Sequence, residues 1–169
     1  MPEQPSTYQN QAAGTPAGFP PQHQDMQPGA QQAMNPPPQV DNPAYRGSDK
    51  LLNRVAILTG ADSGIGQAAA VAFAKEGADI VVAFYSEQAD ADRTVEMVRA
   101  AGRRCILVRC DLQQETAARE VVSAAMGEFG RIDILVNNIA VQYPQNSLED
   151  ITAQQLYTTF GTNILSYFF

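Results

Sequence analysis

A glycine-rich loop between an apolar strand-like run and a helix-like run constrains this sequence most. Residues 55–58 are all apolar, residues 59–66 contain three glycines, and residues 67–76 carry small apolar side chains at helical spacing. Glycines let a pyrophosphate approach the backbone, and a helix N-terminus supplies amide donors and the positive end of a dipole. The pattern therefore predicts a dinucleotide-binding loop, whereas the alternative is that the glycines only form a turn.

Strand-like and helix-like runs alternate through the rest of the chain after this loop. Gly77, Gly102 and Gly130 follow helix-like runs as terminators, and Thr152 is placed to cap the last helix. This alternation predicts the α/β class, with a Rossmann-type doubly wound parallel sheet of about four strands. We expect strands over residues 55–58, 80–84, 104–109 and 132–136, and helices over residues 67–76, 90–101, 114–129 and 152–169.

The first 47 residues have a different composition, rich in Pro and Gln and poor in branched aliphatic side chains. Such a segment buries too little apolar surface to offset its backbone entropy, so we expect residues 1–47 to be a disordered extension. Residues 48–169 then form the Rossmann domain. An alternative is that the three prolines at positions 36–38 form a docking ligand for a partner protein.

The charge and hydropathy of the chain exclude several classes of partner. A net charge of −7 and a pI near 4.5 argue against nucleic-acid or membrane binding through a basic surface. The sequence lacks an apolar stretch of roughly 20 residues and a secretory signal, so we expect a cytoplasmic location. Cys105 and Cys110 fall on opposite faces of a strand, and His23 stands alone, so neither a disulfide nor a metal site is expected.

Four ordered motifs resemble those of the short-chain dehydrogenase/reductase family. The loop Thr59-Gly60-x-x-x-Gly64-Ile65-Gly66 differs from the spacing G-x-G-x-x-G and matches that family's glycine motif. Asp111-Leu112 after the third strand, the run from Asn137 to Ala140 after the fourth, and Asn163 in the fourth helix follow at matching intervals. The resemblance covers the chain after residue 51. Residues 45–51, 62–66 and 141–144 further resemble bacterial general-stress and glucose/ribitol-dehydrogenase-like members.

The resemblance implies a role for each matching residue. Asp111 would accept a hydrogen bond from adenine beside Leu112, unless it only caps a turn. Asn163 would hold a water of the proton relay, unless it is a satisfied buried amide without a catalytic role. The remaining positions implied to contact or brace a bound cofactor are Thr59, Gly60, Asp62, Ser63, Gly64, Ile65, Gly66, Asn137, Asn138, Ile139 and Ala140. Among them Ile139-Ala140 departs from the small residues usual at that place.

The choice between NAD and NADP is left open by the sequence. An acidic residue at the end of the second strand would favour NAD, and an arginine would favour NADP. Phe84 and Tyr85 occupy that place, and Ser63 is neutral.

The family's catalytic Ser and Tyr-x-x-x-Lys are not found in these 169 residues. Its Tyr passes a proton to or from the substrate oxygen, and its Lys lowers the pKa of that Tyr. We therefore expect a C-terminally truncated copy with an exposed fourth strand. By resemblance the function is NAD(P)-dependent hydride transfer between nicotinamide and a small carbonyl or alcohol substrate, in a protein whose relatives are tetramers. The alternative is an inactive nucleotide-binding fragment.

Overall fold

The computed structural model describes residue 24 and residues 29–169. Four parallel strands form one sheet in the order β3-β2-β1-β4, with helices packed on both faces. This arrangement confirms the predicted α/β Rossmann-type sheet. The strands are β1 (Val55–Thr59), β2 (Asp79–Phe84), β3 (Cys105–Arg109) and β4 (Ile134–Val136), and the helices are α1 (Gly64–Lys75), α2 (Gln88–Ala100), α3 (Glu115–Phe129) and α4 (Ala153–Asn163).

The two central strands are buried along their whole length, as their unbroken apolar runs require in a sheet covered on both sides. One apolar cluster joins alternate residues of β1 and β2 to α1 and α2, and a second joins the other residues to α3. Cys105 packs in the first cluster and Cys110 against the second, so the two free thiols lie on opposite faces as predicted. Burial raises the pKa of Cys105 to about 12.

The fourth helix begins as predicted but is shorter than predicted. Thr152 and Gln155 form a reciprocal capping box at its start. The helix ends at Asn163, and a short 3-10 helix, Leu165–Tyr167, follows, so the prediction of one helix to residue 169 is wrong. The backbone leaves the helical conformation at Ile164, which has a φ of −123° and a ψ of −63°.

The described part of the predicted extension lies against the domain. A 3-10 helix, Gln31–Ala33, contacts α1 and α2, and residues 41–50 contact the C-terminal end of α1. The predicted boundary at residue 47 therefore does not coincide with a break in contacts. Residues 1–23 and 25–28 lie outside the described residues, and for them disorder stays a prediction.

Across the described residues, no helix combines the length and the apolar character needed to cross a membrane.

Candidate functional site

An open cleft of about 540 Å³ lies where the carboxyl ends of the parallel strands meet the first turn of α1. In open α/β sheets this edge is where ligands bind. Most of the residues singled out in the sequence line the cleft. The lining comprises Gly60, Asp62, Ser63, Gly64, Ile65, Phe84, Tyr85, Asp111, Leu112, Gln113, Asn138, Ile139, Ala140, Val141, Tyr143, Thr158 and Thr162.

The loop between β1 and α1 is folded so tightly that one glycine is obligatory. A Cβ added at Gly66 would lie 2.2 Å from the Gly60 carbonyl oxygen and 2.6 Å from the Asn138 side-chain nitrogen. Both neighbours are held in place, so a side chain at this position would displace the loop. The glycine is needed here for close packing between the start of α1 and the strand ends.

Thr59 and Asn138 join this loop to the segment that follows β4, and we call this pair the inner anchor. The Thr59 hydroxyl oxygen accepts hydrogen bonds from the amides of Asn138 at 3.0 Å and Ile139 at 3.2 Å. The Asn138 amide group donates to the carbonyls of Thr59 at 3.1 Å and Gly60 at 2.9 Å. These bonds link the end of β1 to the segment after β4, and the predicted role of Asn138 at the cofactor stays a prediction. Ile139 does not prevent the close backbone approach, whereas the neighbouring Asn137 is exposed.

The first turn of α1 faces the cleft with few local partners. Ser63 is the N-cap residue, but its side chain makes no capping hydrogen bond. Ile65 is 83% exposed at the mouth of the cleft. The first amides of a helix have no acceptor within the helix and form a site for an anion. This turn therefore has the chemistry that a phosphate group requires.

Asp62 gives the same end of the cleft a negative character. Its side chain is 7% exposed. Burial raises its pKa, and the nearby carboxylates of Asp90 and Glu87 raise it further. A second carboxylate, that of Asp111, lies across the cleft. Among the lining residues that the structure describes there is no Lys or Arg.

The wall formed by β2 and β3 is apolar. Phe84 ends β2 and is buried, Tyr85 follows it and is half-exposed, and Leu112 is buried beyond β3. Asp111 accepts a hydrogen bond from the Gln113 amide at 3.1 Å through one carboxylate oxygen. That bond is the turn interaction proposed as the alternative for Asp111. Asp111 also lines the cleft, and its predicted contact with adenine stays a prediction.

Asn163, the last residue of α4, joins that helix to the segment after β4. Its side-chain oxygen accepts from the Val141 amide at 2.8 Å, and its side-chain nitrogen donates to the Val141 carbonyl at 2.9 Å. The oxygen and the nitrogen of the Asn163 side chain are thus both hydrogen-bonded to the backbone of Val141. These bonds are what the interpretation as a satisfied amide requires, and the relay role stays a prediction.

The structure brings together most, but not all, of the predicted site residues. Four of the predicted residues are not part of the lining, namely Thr59, Gly66, Asn137 and Asn163. Sequence reasoning missed five lining residues from α4 and the loops, namely Gln113, Val141, Tyr143, Thr158 and Thr162. It also missed Gln67, a fully buried polar side chain in α1. A polar residue within the apolar face of a helix was the available signal for that position.

Comparisons with known proteins agree with the geometry. The sequence pattern described as short chain dehydrogenase matches residues 54–169. The uncharacterized oxidoreductase YhdF of Bacillus subtilis is 49% identical over 151 residues, covering 89% of this chain and 52% of that protein. General stress protein 39 of the same organism is 45% identical, with coverages of 93% and 55%. Glucose and ribitol dehydrogenase of Daucus carota is 41% identical, with coverages of 89% and 54%.

A solved structure extends the match from sequence to fold. A short chain dehydrogenase from Mycobacterium paratuberculosis bound to NAD superimposes with a TM-score of 0.66 at 34% identity, covering 70% of this chain and 48% of that one. The chain spans about half the length of the curated relatives it matches. With its glycine loop, parallel sheet and matched relatives, the chain belongs to the short-chain dehydrogenase family.

Proposed function

We propose that this chain binds a nicotinamide dinucleotide in the cleft, as part of an oxidoreductase that acts on a small carbonyl or alcohol substrate. The observation that carries the proposal is the Gly66 contact, because a Cβ there would meet the Gly60 carbonyl oxygen at 2.2 Å. A loop this compact exposes the first turn of α1 to a ligand. The NAD bound by the mycobacterial relative supports the same ligand class.

The lining residues fit the parts of a dinucleotide. The first turn of α1 would hold the pyrophosphate through backbone amides, because a helix N-terminus attracts negative charge. Asp111 and Leu112 would hold the adenine ring, with Phe84 and Tyr85 beside it. Asn138 would fix the loop that approaches the ribose, since its side chain already links that loop to the strand ends.

The bound nicotinamide would supply hydride chemistry at its C4 atom. The residues of this chain would position the dinucleotide and exclude water from the buried side of the cleft. A proton donor of the Tyr-x-x-x-Lys type is not present in the 169 residues. Binding of the dinucleotide without turnover is the second candidate function.

We propose NAD as the preferred form of the cofactor. A 2′-phosphate needs a cationic partner, whereas a free ribose hydroxyl can donate to a carboxylate. Asp62 lies in the cleft near two further carboxylates, and the described lining holds no cation. Arg109 lies outside the lining but contacts it, because its guanidinium donates a hydrogen bond to the carbonyl of the lining residue Tyr85 at 3.1 Å. The substrate and a tetrameric state stay predictions from the family resemblance.

A fluorescence titration with NADH and NADPH tests these proposals. We expect saturable binding of NADH and weaker binding of NADPH, and we expect Gly66→Ala to abolish the NADH signal. Gly127→Ala is the matched control, because a Cβ at that exposed position in α3 meets nothing within 4 Å. Equal binding by the Gly66 variant would contradict the site.

Tighter binding of NADPH that is lost in Arg109→Ala would contradict the choice of NAD. NADH binding without oxidation by any of a panel of aldehydes and ketones would favour the second candidate.

A further inference from the structure

The N-terminal end of α1 receives a capping group from a distant part of the chain. Ser63 makes no side-chain capping bond, so the helix needs another acceptor for its first amides. The side-chain oxygen of Gln31 accepts a hydrogen bond from the Gly64 amide at 2.6 Å, across 33 residues of sequence. Gly64 has a φ of +53° and belongs to the glycine loop. Gln31 therefore contacts the loop directly.

Gln31 also begins a chain of buried hydrogen bonds that ends on the same loop. Its side-chain nitrogen donates to the Gln67 oxygen at 2.7 Å, and the Gln67 nitrogen donates to the Thr94 hydroxyl at 2.8 Å. The Thr94 hydroxyl in turn lies 3.0 Å from the carbonyl of Ala61. Gln67 and Thr94 are fully buried, so each depends on these partners. We call Gln31, Gln67 and Thr94 the outer anchor.

The segment that carries Gln31 is itself fixed at both ends of α1. At the start of the helix the Gln31 amide donates to the Asp90 carboxylate at 2.9 Å. At the other end Lys75 pairs with Asp41, and the Glu76 carboxylate accepts from Tyr45 and from two backbone amides of residues 48–50. Contacts at the two ends of one helix limit the positions that Gln31 can take.

Gln31 is absent from the lining of the cleft, whereas Gly64, whose amide it binds, belongs to that lining. A ligand in the cleft and Gln31 can therefore be accommodated together. The Gly64 amide is engaged by Gln31, and Ser63 and Ile65 line the cleft on either side of Gly64.

We propose that Gln31 is a positioning residue for dinucleotide binding, which holds the glycine loop in its binding conformation from outside the Rossmann domain. The inference rests on the proposed function, because it names a residue that acts on the same site. It assigns to the Pro/Gln-rich segment a role in the site rather than in partner docking.

The test measures NADH affinity and the exchange rate of the Gly64 amide in Gln31→Met, which keeps side-chain length and removes both polar atoms. The variant loses the side-chain bonds to Gly64 and Gln67, and the loss of the Gly64 bond alone predicts NADH binding about three- to tenfold weaker, with faster exchange at Gly64. Gln31→Glu keeps the acceptor for the Gly64 amide and should restore slow exchange there, while its added negative charge opposes a bound pyrophosphate. Gln32→Ala is the control, since that exposed neighbour reaches only Asp90, at 3.4 Å.

The outcomes separate the two proposals. Unchanged NADH affinity in Gln31→Met, with a wild-type protein that binds NADH, would overturn the role of Gln31 and leave the proposed function intact. If the wild-type protein does not bind NADH, the proposed function is wrong. In that case an unchanged exchange rate of the Gly64 amide in Gln31→Met would also show that Gln31 does not bind this amide. A drop in thermal stability without a change in NADH affinity would reduce Gln31 to a structural residue.

Discussion

The inner and outer anchors hold the same loop but come from regions of very different sequence character. The inner anchor joins Thr59, which ends β1, to Asn138, which comes after the adjacent strand β4. The outer anchor begins at Gln31, in a segment whose composition predicts disorder. The difference shows that a segment of low apolar content has no hydrophobic core of its own but can still be bound to the folded domain. Polar side chains can fix such a segment through hydrogen bonds to buried partners.

Removing the inner anchor should have the largest effect on stability. Asn138→Ala leaves two carbonyls, those of Thr59 and Gly60, without their donor, which predicts a loss of about 1–3 kcal/mol in the free energy of unfolding. Urea denaturation measures this loss. Asn137→Ala is the matched control, and as an exposed substitution it should change stability by less than about 0.5 kcal/mol. Equal effects of the two substitutions would show that Asn138 does not brace the sheet.

Acid should loosen the contact between residues 45–50 and Glu76 before it unfolds the domain. The Tyr45 hydroxyl and the amides of Ser48 and Lys50 lower the pKa of Glu76 from its ordinary value of 4.5 to about 2. A lowered pKa contributes stability that is complete above pH 4.5 and is lost as the pH falls toward 2. We therefore expect the hydrogen-exchange protection factors of residues 45–50, taken relative to the intrinsic exchange rate at each pH, to fall across this interval.

Glu76→Gln should already show fast exchange in residues 45–50 at neutral pH and should respond less to acid. Glu96→Gln, which removes an exposed carboxylate of α2, is the control and should behave as the wild type. A wild-type profile that stays flat between pH 4.5 and 2 would contradict the role of Glu76. Since this change is local, its effect on global unfolding should be smaller than that of Asn138→Ala.

Local sequence patterns predicted those parts of the fold that depend on residues close together in the sequence. The apolar runs before the glycine loop and before Ser86 predicted β1 and β2, because strands buried on both faces need little else. The spacing of Thr59 to Gly66 predicted the tight loop. Asn138 was predicted as a brace together with Asn137, and only the fold separates a half-buried side chain from an exposed one at adjacent positions.

Features that depend on distant partners could not be predicted. The apolar character of residues 164–169 suggested a continuing helix, but the backbone leaves the helical conformation at Ile164 and a 3-10 turn follows. Gln31 looks like an ordinary surface glutamine, and its 2.7 Å hydrogen bond to Gln67 joins residues that are 36 positions apart in sequence. Such contacts follow from tertiary geometry, which periodicity and composition do not encode.

The most direct test of dinucleotide binding at the glycine loop places a negative charge there without disturbing the core. Ile65 is 83% exposed at the first turn of α1, and Leu148 is 81% exposed away from the cleft. Ile65→Asp should weaken NADH binding at least about tenfold, because a carboxylate beside the pyrophosphate opposes it by about 1–4 kcal/mol. Leu148→Asp should bind NADH as the wild type does. Equal NADH affinities for the two variants in a calorimetric titration would contradict binding at this loop.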